Sequence, residues 1–220
     1  MNSDWTTLWP VYLTSIGQTL WMVSVTMLVG GFFGLVLGVL LYTTRRGGLL
    51  QNGPSYTILN VVVNFVRPIP FIIFITAVGP LTLLTMGTTI GTAAAIFPLT
   101  LAASFGISRI VEQNLITIDP GVIEAARAMG ASPWRIIVTL LIPEALGPLI
   151  LGYTFVFVAV VDMTAVAGAV GGGGLGNFAI TYGYQRFNWV VTWVAVLTII
   201  VLVQVAQFLG NWLARKALRR

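Results

Sequence analysis

Side chains able to do chemistry are scarce in this sequence, and the scarcity itself narrows the function. Histidine and cysteine are both absent from its 220 residues. That removes Cys/His zinc sites, disulfides, haem ligation and any nucleophile that depends on a histidine base or a thiolate. The only lysine is Lys216, preceded by Arg215. A phosphate-binding Walker A loop needs Gly-Lys-Ser/Thr, so the chain has none, and no bound cofactor is expected on it. Gly171-x-Gly173-x-x-Gly176 has the spacing of a dinucleotide fingerprint, but neither the preceding soluble strand nor the surrounding βαβ unit that gives this spacing meaning. These glycines read either as a turn at the outer mouth of a bundle, with Gly173 and Gly174 facing a docking partner, or as a plain connector. What remains is a pair of charged residues inside apolar stretches, Arg67 and Asp162, and a compact polar stretch from Asp119 to Pro143.

The elements that must position these residues are set by composition. The chain is 57% hydrophobic and 8% charged, with a mean hydropathy of +0.96. Soluble domains carry about 25% charged residues, so a water-soluble enzyme and a disordered chain are both excluded. Net charge is +5, but in a membrane protein basic residues mark cytoplasmic loops, and no nucleic-acid partner is implied. A membrane-crossing helix needs about 20 apolar residues. Five such segments are predicted, at about 16–42, 56–78, 90–110, 145–170 and 189–213. The first lacks a basic region ahead of it and is too long for a signal peptide. The reading is an all-α, multi-pass membrane protein forming a single transmembrane domain over residues 1–220, with a cytoplasmic loop at about 113–143.

Of the 11 Lys and Arg residues, all but Arg67 and Arg186 fall on one side if there are five crossings. They are Arg45, Arg46, Arg109, Arg127, Arg135, Arg215, Lys216, Arg219 and Arg220. The positive-inside rule then places the N-terminus outside and the C-terminus in the cytoplasm. Gly30, Gly34 and Gly38, each four apart, share one face of the first segment and permit close approach of another helix, within the chain or at a dimer seam. In the second segment Arg67-Pro68-Ile69-Pro70 removes two backbone donors, so a kink or break is expected there. Arg67 lies roughly 16 Å deep at 1.5 Å per residue. Holding an arginine at that depth costs on the order of 3 kcal/mol, so it should face the bundle interior or water and find a partner. Asp162, with Met163 and Thr164 beside it, lies roughly 26 Å into the fourth segment. It could meet the amino group of a zwitterionic substrate or pair with Arg67. Arg67, Asp162, Met163 and Thr164 are therefore the candidate pathway residues.

The stretch 119–143 is the most informative. Asp119 can cap a helix and Pro120 suits its first turn. Glu124-Ala125-Ala126-Arg127-Ala128-Met129 continues as helix, and Gly130 is placed to end it. Ser132 and Pro133 repeat the start signal, Trp134 to Leu141 can form a second helix, and Pro143 is expected to stop it. The first helix is too short and polar to span, so it should lie across the cytoplasmic face. Ala125 and Ala126 would let another surface approach closely, while Glu124 and Arg127 offer it charged contacts.

Glu124-Ala125-Ala126, three residues, Gly130, nine residues, then Leu140-Leu141-Ile142-Pro143 resembles the EAA loop of ABC importer permeases, with the branching of Leu140 and Ile142 exchanged. Phe71-Ile72-Ile73 after Arg67-x-Ile-Pro, the run 123–133, the glycine-rich 168–176 and Tyr182-Gly183-Tyr184-Gln185-Arg186-Phe187 are similar to the methionine-uptake branch of that family. The resemblance runs from about Leu41 to the C-terminus. Pro68 and the charged Val161-Asp162-Met163-Thr164 depart from that branch. The resemblance implies a type I importer permease in a bacterial cytoplasmic membrane, with Glu124, Ala125, Ala126, Arg127, Met129 and Gly130 on a coupling helix. It also implies two ATPase subunits that hold ATP and Mg, and an extracytoplasmic substrate-binding protein, for which Gly173, Gly174, Tyr184 and Arg186 are the candidate docking residues. Five spans enclose a poor pathway alone, so a homodimer with its pore on the two-fold axis is expected. The alternatives are a permease of the same class for another amino acid or small solute, and an ATP-independent channel or secondary transporter.

Overall fold

The computed structural model describes residues 5–218, so Arg219 and Arg220 lie outside the described residues. Helices account for every regular element among them: α1 (Trp5–Thr44), α2 (Gly53–Val66), α3 (Phe71–Ala77), α4 (Gly79–Met86), α5 (Thr92–Ile116), α6 (Pro120–Ala128), α7 (Pro133–Ile136, continued by a π-helical turn Ile137–Leu141 and Ile142–Glu144), α8 (Leu146–Ala167), α9 (Gly174–Phe178, continued through Ala179–Gly183) and α10 (Trp189–Leu218). Four of these are long and apolar enough to cross a membrane, and α2 with α3 makes a fifth if that bent pair counts as one span.

Three expected boundaries move, each for a physical reason. α1 begins at Trp5, well before residue 16, because its first turns find neighbours to pack on. There Leu8, with Trp5, Val11 and Tyr12, packs on Phe178, Val191 and Ala195, and the Tyr12 hydroxyl shares a 2.6 Å hydrogen bond with Thr198 Oγ1. α5 runs past residue 110 to Ile116 because Arg109 and Glu112 form an ion pair and stay within the helix. Pro143 does not stop α7. The π-helical turn at Ile137–Leu141 widens the backbone ladder just ahead of the proline, and the helix continues to Glu144.

The second expected span is broken rather than kinked. α2 and α3 diverge by 110° at Arg67-Pro68-Ile69-Pro70, where the prolines supply no N–H and bias their neighbours away from helix. α4 then leads away to Gly87, whose φ of +71° closes that helix.

The core sits where α1, α5 and α8 meet. It includes Val23, Tyr42, Ile107, Val111, Leu115, Val156 and Val160, and it extends to Ala126 and Ile136 in the short helices. The glycine stripe packs within the chain. A Cβ on Gly34 would lie 2.5 Å from Ile107 Cβ, and one on Gly38 would lie 2.5 Å from the Ser108 carbonyl oxygen. Two serines of α5 at this seam turn their hydroxyls back onto their own helix: Ser104 donates to the Thr100 carbonyl at 2.7 Å and Ser108 to the Phe105 carbonyl at 2.8 Å.

Gly38→Ala should lower the thermal unfolding midpoint in detergent, at a cost on the order of 1–3 kcal/mol for overpacking. Gly17→Ala, in the same helix with nothing within 4 Å of the new carbon, should be neutral or mildly stabilising. Equal shifts for both would contradict the seam.

Candidate functional site

The short helix α6 is built by local signals. The Asp119 carboxylate accepts from the Gly121 N–H at 2.8 Å, capping the first turn with Pro120 in place. At the other end the Ala131 N–H donates to the Ala126 carbonyl at 3.1 Å and the Gly130 N–H to the Arg127 carbonyl at 2.9 Å. This Schellman pairing needs a left-handed residue, and Gly130 supplies it at φ +78°. Ser132 then caps α7, accepting from the Arg135 N–H at 3.4 Å.

One side of α6 faces the core through Ile123 and the buried Ala126, which pack with Leu115, Ile118 and Ile136. The other side is open: Glu124, Ala125 and Arg127 are exposed and Met129 is 82% exposed. Among the described residues neither Glu124 nor Arg127 has an ion-pair partner. Both border a cavity of about 100 Å³ shared with Tyr42, Arg45 and the Gly47-Gly48 turn, where α1 ends. Of the expected contact residues only Ala126 turns inward, because its methyl group seats the helix.

Arg67 and Met163 come together. Both line a cavity of about 220 Å³ at the α2–α3 break, with Phe71, Phe74, Phe105 and Gly106 around them. Asp162 does not join them. It is exposed, and the one ion pair among the described residues is elsewhere. Side-chain reach alone suggested an Arg67–Asp162 pair, but adjacent residues on a helix point about 100° apart, so placing Met163 in the cavity turns Asp162 away. Thr164 is buried and its hydroxyl donates to the Val161 carbonyl at 2.7 Å, so it serves packing rather than the cavity.

At the opposite end from α6, the glycine run is a folded contact and not an open mouth. Gly174 is buried. Its N–H donates to Gln18 Oε1 at 2.7 Å, and the Leu175 N–H donates to Thr19 Oγ1 at 2.8 Å. A Cβ on Gly173 would lie 2.6 Å from that same Gln18 oxygen. Gly174 is thus covered by α1, while Gly173 stays half-buried with Gln18 beside it. Tyr184 and Arg186 are exposed as expected, with Arg186 over the Tyr182 ring at 4.7 Å and Tyr184 edge-on to Trp189.

One polar cluster was missed by sequence reasoning. Arg109 on α5 forms an ion pair with the buried Glu112, one turn on. Its Nη2 also donates to Asn60 Oδ1 at 2.6 Å and Asn64 Oδ1 at 2.5 Å, both on α2. The Asn64 amide donates to Asn60 Oδ1 at 3.1 Å. The available signal was the i, i+3 charge pair and the i, i+4 asparagine pair at matching depths in two apolar segments.

Comparison with known proteins agrees with this architecture. The family described as "Binding-protein-dependent transport system inner membrane component" matches residues 30–219. A probable D-methionine transport system permease protein, MetI, of Vibrio cholerae is 44% identical over 216 residues, covering 98% of this chain and 93% of its own. The methionine import system permease protein MetP of Bacillus subtilis is 40% identical over 210 residues, covering 96% and 93%. A solved inward-facing conformation of the MetNI methionine ABC transporter superposes with a TM-score of 0.94 at 39% identity, covering 98% of this chain and 99% of that one. An amino acid ABC transporter solved with histidines shares the fold, with a TM-score of 0.79 at 17% identity. The chain is a multi-pass membrane protein, and it belongs to the family of binding-protein-dependent transport system inner membrane components.

Proposed function

We propose that this chain is the permease subunit of an ATP-driven importer and that it forms the translocation pathway for methionine. The observation that carries the reading is α6: a capped, closed helix seated on the core by Ala126, with Glu124, Ala125, Arg127 and Met129 presented outward beneath the bundle. That is the shape of a lever with a free gripping face. The near-full-length likeness to methionine permeases supports the choice of substrate.

In this reading α6 lies on the cytoplasmic side, the N-terminus is outside, and two copies pair around a central pathway. ATP and Mg are held by a partner ATPase on each copy, and this chain has no ATPase site of its own. The partner grips α6 through Glu124, Ala125, Arg127 and Met129. When the two ATPases approach each other, α6 is carried along, and α5 and α7 follow because Ala126 and Ile136 share their core. Each bundle then rocks between two packings, one open outward and one open inward. Arg67 and Met163 line the pathway at the α2–α3 break, and the aromatic walls there suit a thioether side chain. Tyr184 and Arg186 receive the extracytoplasmic substrate-binding protein. A different small amino acid as cargo is the remaining reading within the class, and competition of labelled methionine uptake by other amino acids decides between them.

Gly130→Asp should leave the chain inserted while import in proteoliposomes falls at least tenfold, because a residue with a Cβ in the left-handed region costs about 1–2 kcal/mol and the Schellman turn sets the angle of α6. Normal ATP-driven uptake by this variant would sink the lever. Exchanging the substrate-binding protein for one of different specificity should reduce methionine uptake. Uptake unchanged by that exchange would assign selectivity to this subunit instead.

A further inference from the structure

The Arg109 cluster has a mechanical consequence that the lever alone does not supply. α2 is poorly held: Val63 is its only buried residue among those described. It packs on its neighbours mainly at one edge, yet it leads directly into the Arg67 break and the cavity that Met163 lines. In hydrocarbon no water-exclusion force holds such a helix to its neighbour, so its attachment depends on close packing and on hydrogen bonds between helices. The direct side-chain hydrogen bonds from α2 to α5 are those of Asn60 and Asn64 to Arg109. Depths agree as well: Arg109 lies about 10 Å from the α6 end of α5, and Asn60 lies about 10 Å from the corresponding end of α2, at helical rise.

Arg109 suits the task. Its guanidinium is a rigid planar fork that stays charged, and it can serve three acceptors at once. Glu112, buried one turn along, neutralises it and fixes its rotamer. The two asparagines stand on one face of α2, and each offers an oxygen to the same nitrogen. Asn64 also donates to Asn60, which orders both amides. Leu115 and Ile118, on the same helix end and the link beyond it, pack in the core with Ala126 of α6.

We propose that Arg109, held by Glu112, is a positioning residue that latches α2 to α5 through Asn60 and Asn64, so that motion delivered at α6 reaches the pathway break as a rigid-body displacement. The proposal rests on the lever reading above, and its test separates the two. This chain contains no cysteine, so two introduced ones are its only labelling positions. Ile58→Cys on α2 and Ile116→Cys on α5, both at exposed sites, would carry spin labels in one copy of the assembled transporter in proteoliposomes. The expected wild-type result is one narrow distance distribution, with and without ATP. Asn60→Ala/Asn64→Ala removes the acceptors on α2 while keeping the Arg109–Glu112 pair within α5. It should broaden that distribution and lower methionine imported per ATP hydrolysed about tenfold, with ATP hydrolysis itself kept. Asn60→Asp in the Asn64→Ala background should restore both readouts, because a carboxylate re-engages the guanidinium. Asn60→Ala alone should give an intermediate broadening and serves if the double variant does not assemble. An unchanged distribution in the alanine variants overturns the latch, and so does a broadened one with unchanged import per ATP. Failure of the wild type to couple import to ATP would instead overturn the lever and leave the distance result as a direct reading of the latch.

Discussion

Two helices in hydrocarbon gain nothing by excluding water from between them, so α1 and α5 hold each other only where their surfaces fit closely. Gly30, Gly34 and Gly38 make that fit possible. Where a side chain would stand, the Thr100 and Ser108 carbonyl oxygens and the Ile107 and Val111 side chains of α5 come within 2.5 to 3.0 Å of the missing carbon. The rest of the bundle is arranged around the helix this contact fixes. α8 lies against α5 with Gly152 at Ile110, and the Tyr153 hydroxyl crosses to donate to the Gly31 carbonyl at 2.7 Å. α10 closes on α8 with Gly210 at Thr154. Small residues recur at each of these approaches, the pattern expected where van der Waals packing replaces the hydrophobic effect.

Polar groups are placed under the same constraint. A lipid-facing backbone must satisfy its own hydrogen bonds, so irregular chain is tolerated only where it is covered by protein or lines a cavity. Both interruptions within the bundle obey this. The Arg67-Pro68-Ile69-Pro70 break borders a cavity with Met163. Where the glycine run ends, the Gly174 N–H is taken by Gln18 and the Leu175 N–H by Thr19, and the Gly171 carbonyl accepts from the Gly91 N–H at 2.9 Å.

What the sequence revealed and what it hid follow the range of the interactions. The caps at Asp119 and Ser132 and the turn at Gly130 were legible because each depends on residues within five positions of one another. The membrane class and the family followed from composition and from the spacing of Glu124-Ala125-Ala126 and Gly130. The glycine stripe was legible as a stripe, but its partner was not. Hidden features depend on distant pairs: Arg109 with Asn60 and Asn64 spans 49 and 45 residues, and Gln18 with Gly174 spans 156. The Arg67–Asp162 pair failed for another reason. Reach along a side chain says nothing about the direction in which the helix points it, and that direction is set by packing on neighbours the sequence does not name.

The length of α1 carries one more consequence. Its 40 residues make a rod about 60 Å long, while the oily layer of a bilayer is about 30 Å thick. Such a rod must lean steeply or stand clear of the headgroups as a mast. Its outer part is not at liberty to choose, because Gln18 and Thr19 are tied to Gly174 and Leu175 at the start of α9. Any lean of the rod is therefore shared by the start of α9, whose Gly174 and Leu175 N–H groups these two residues hold.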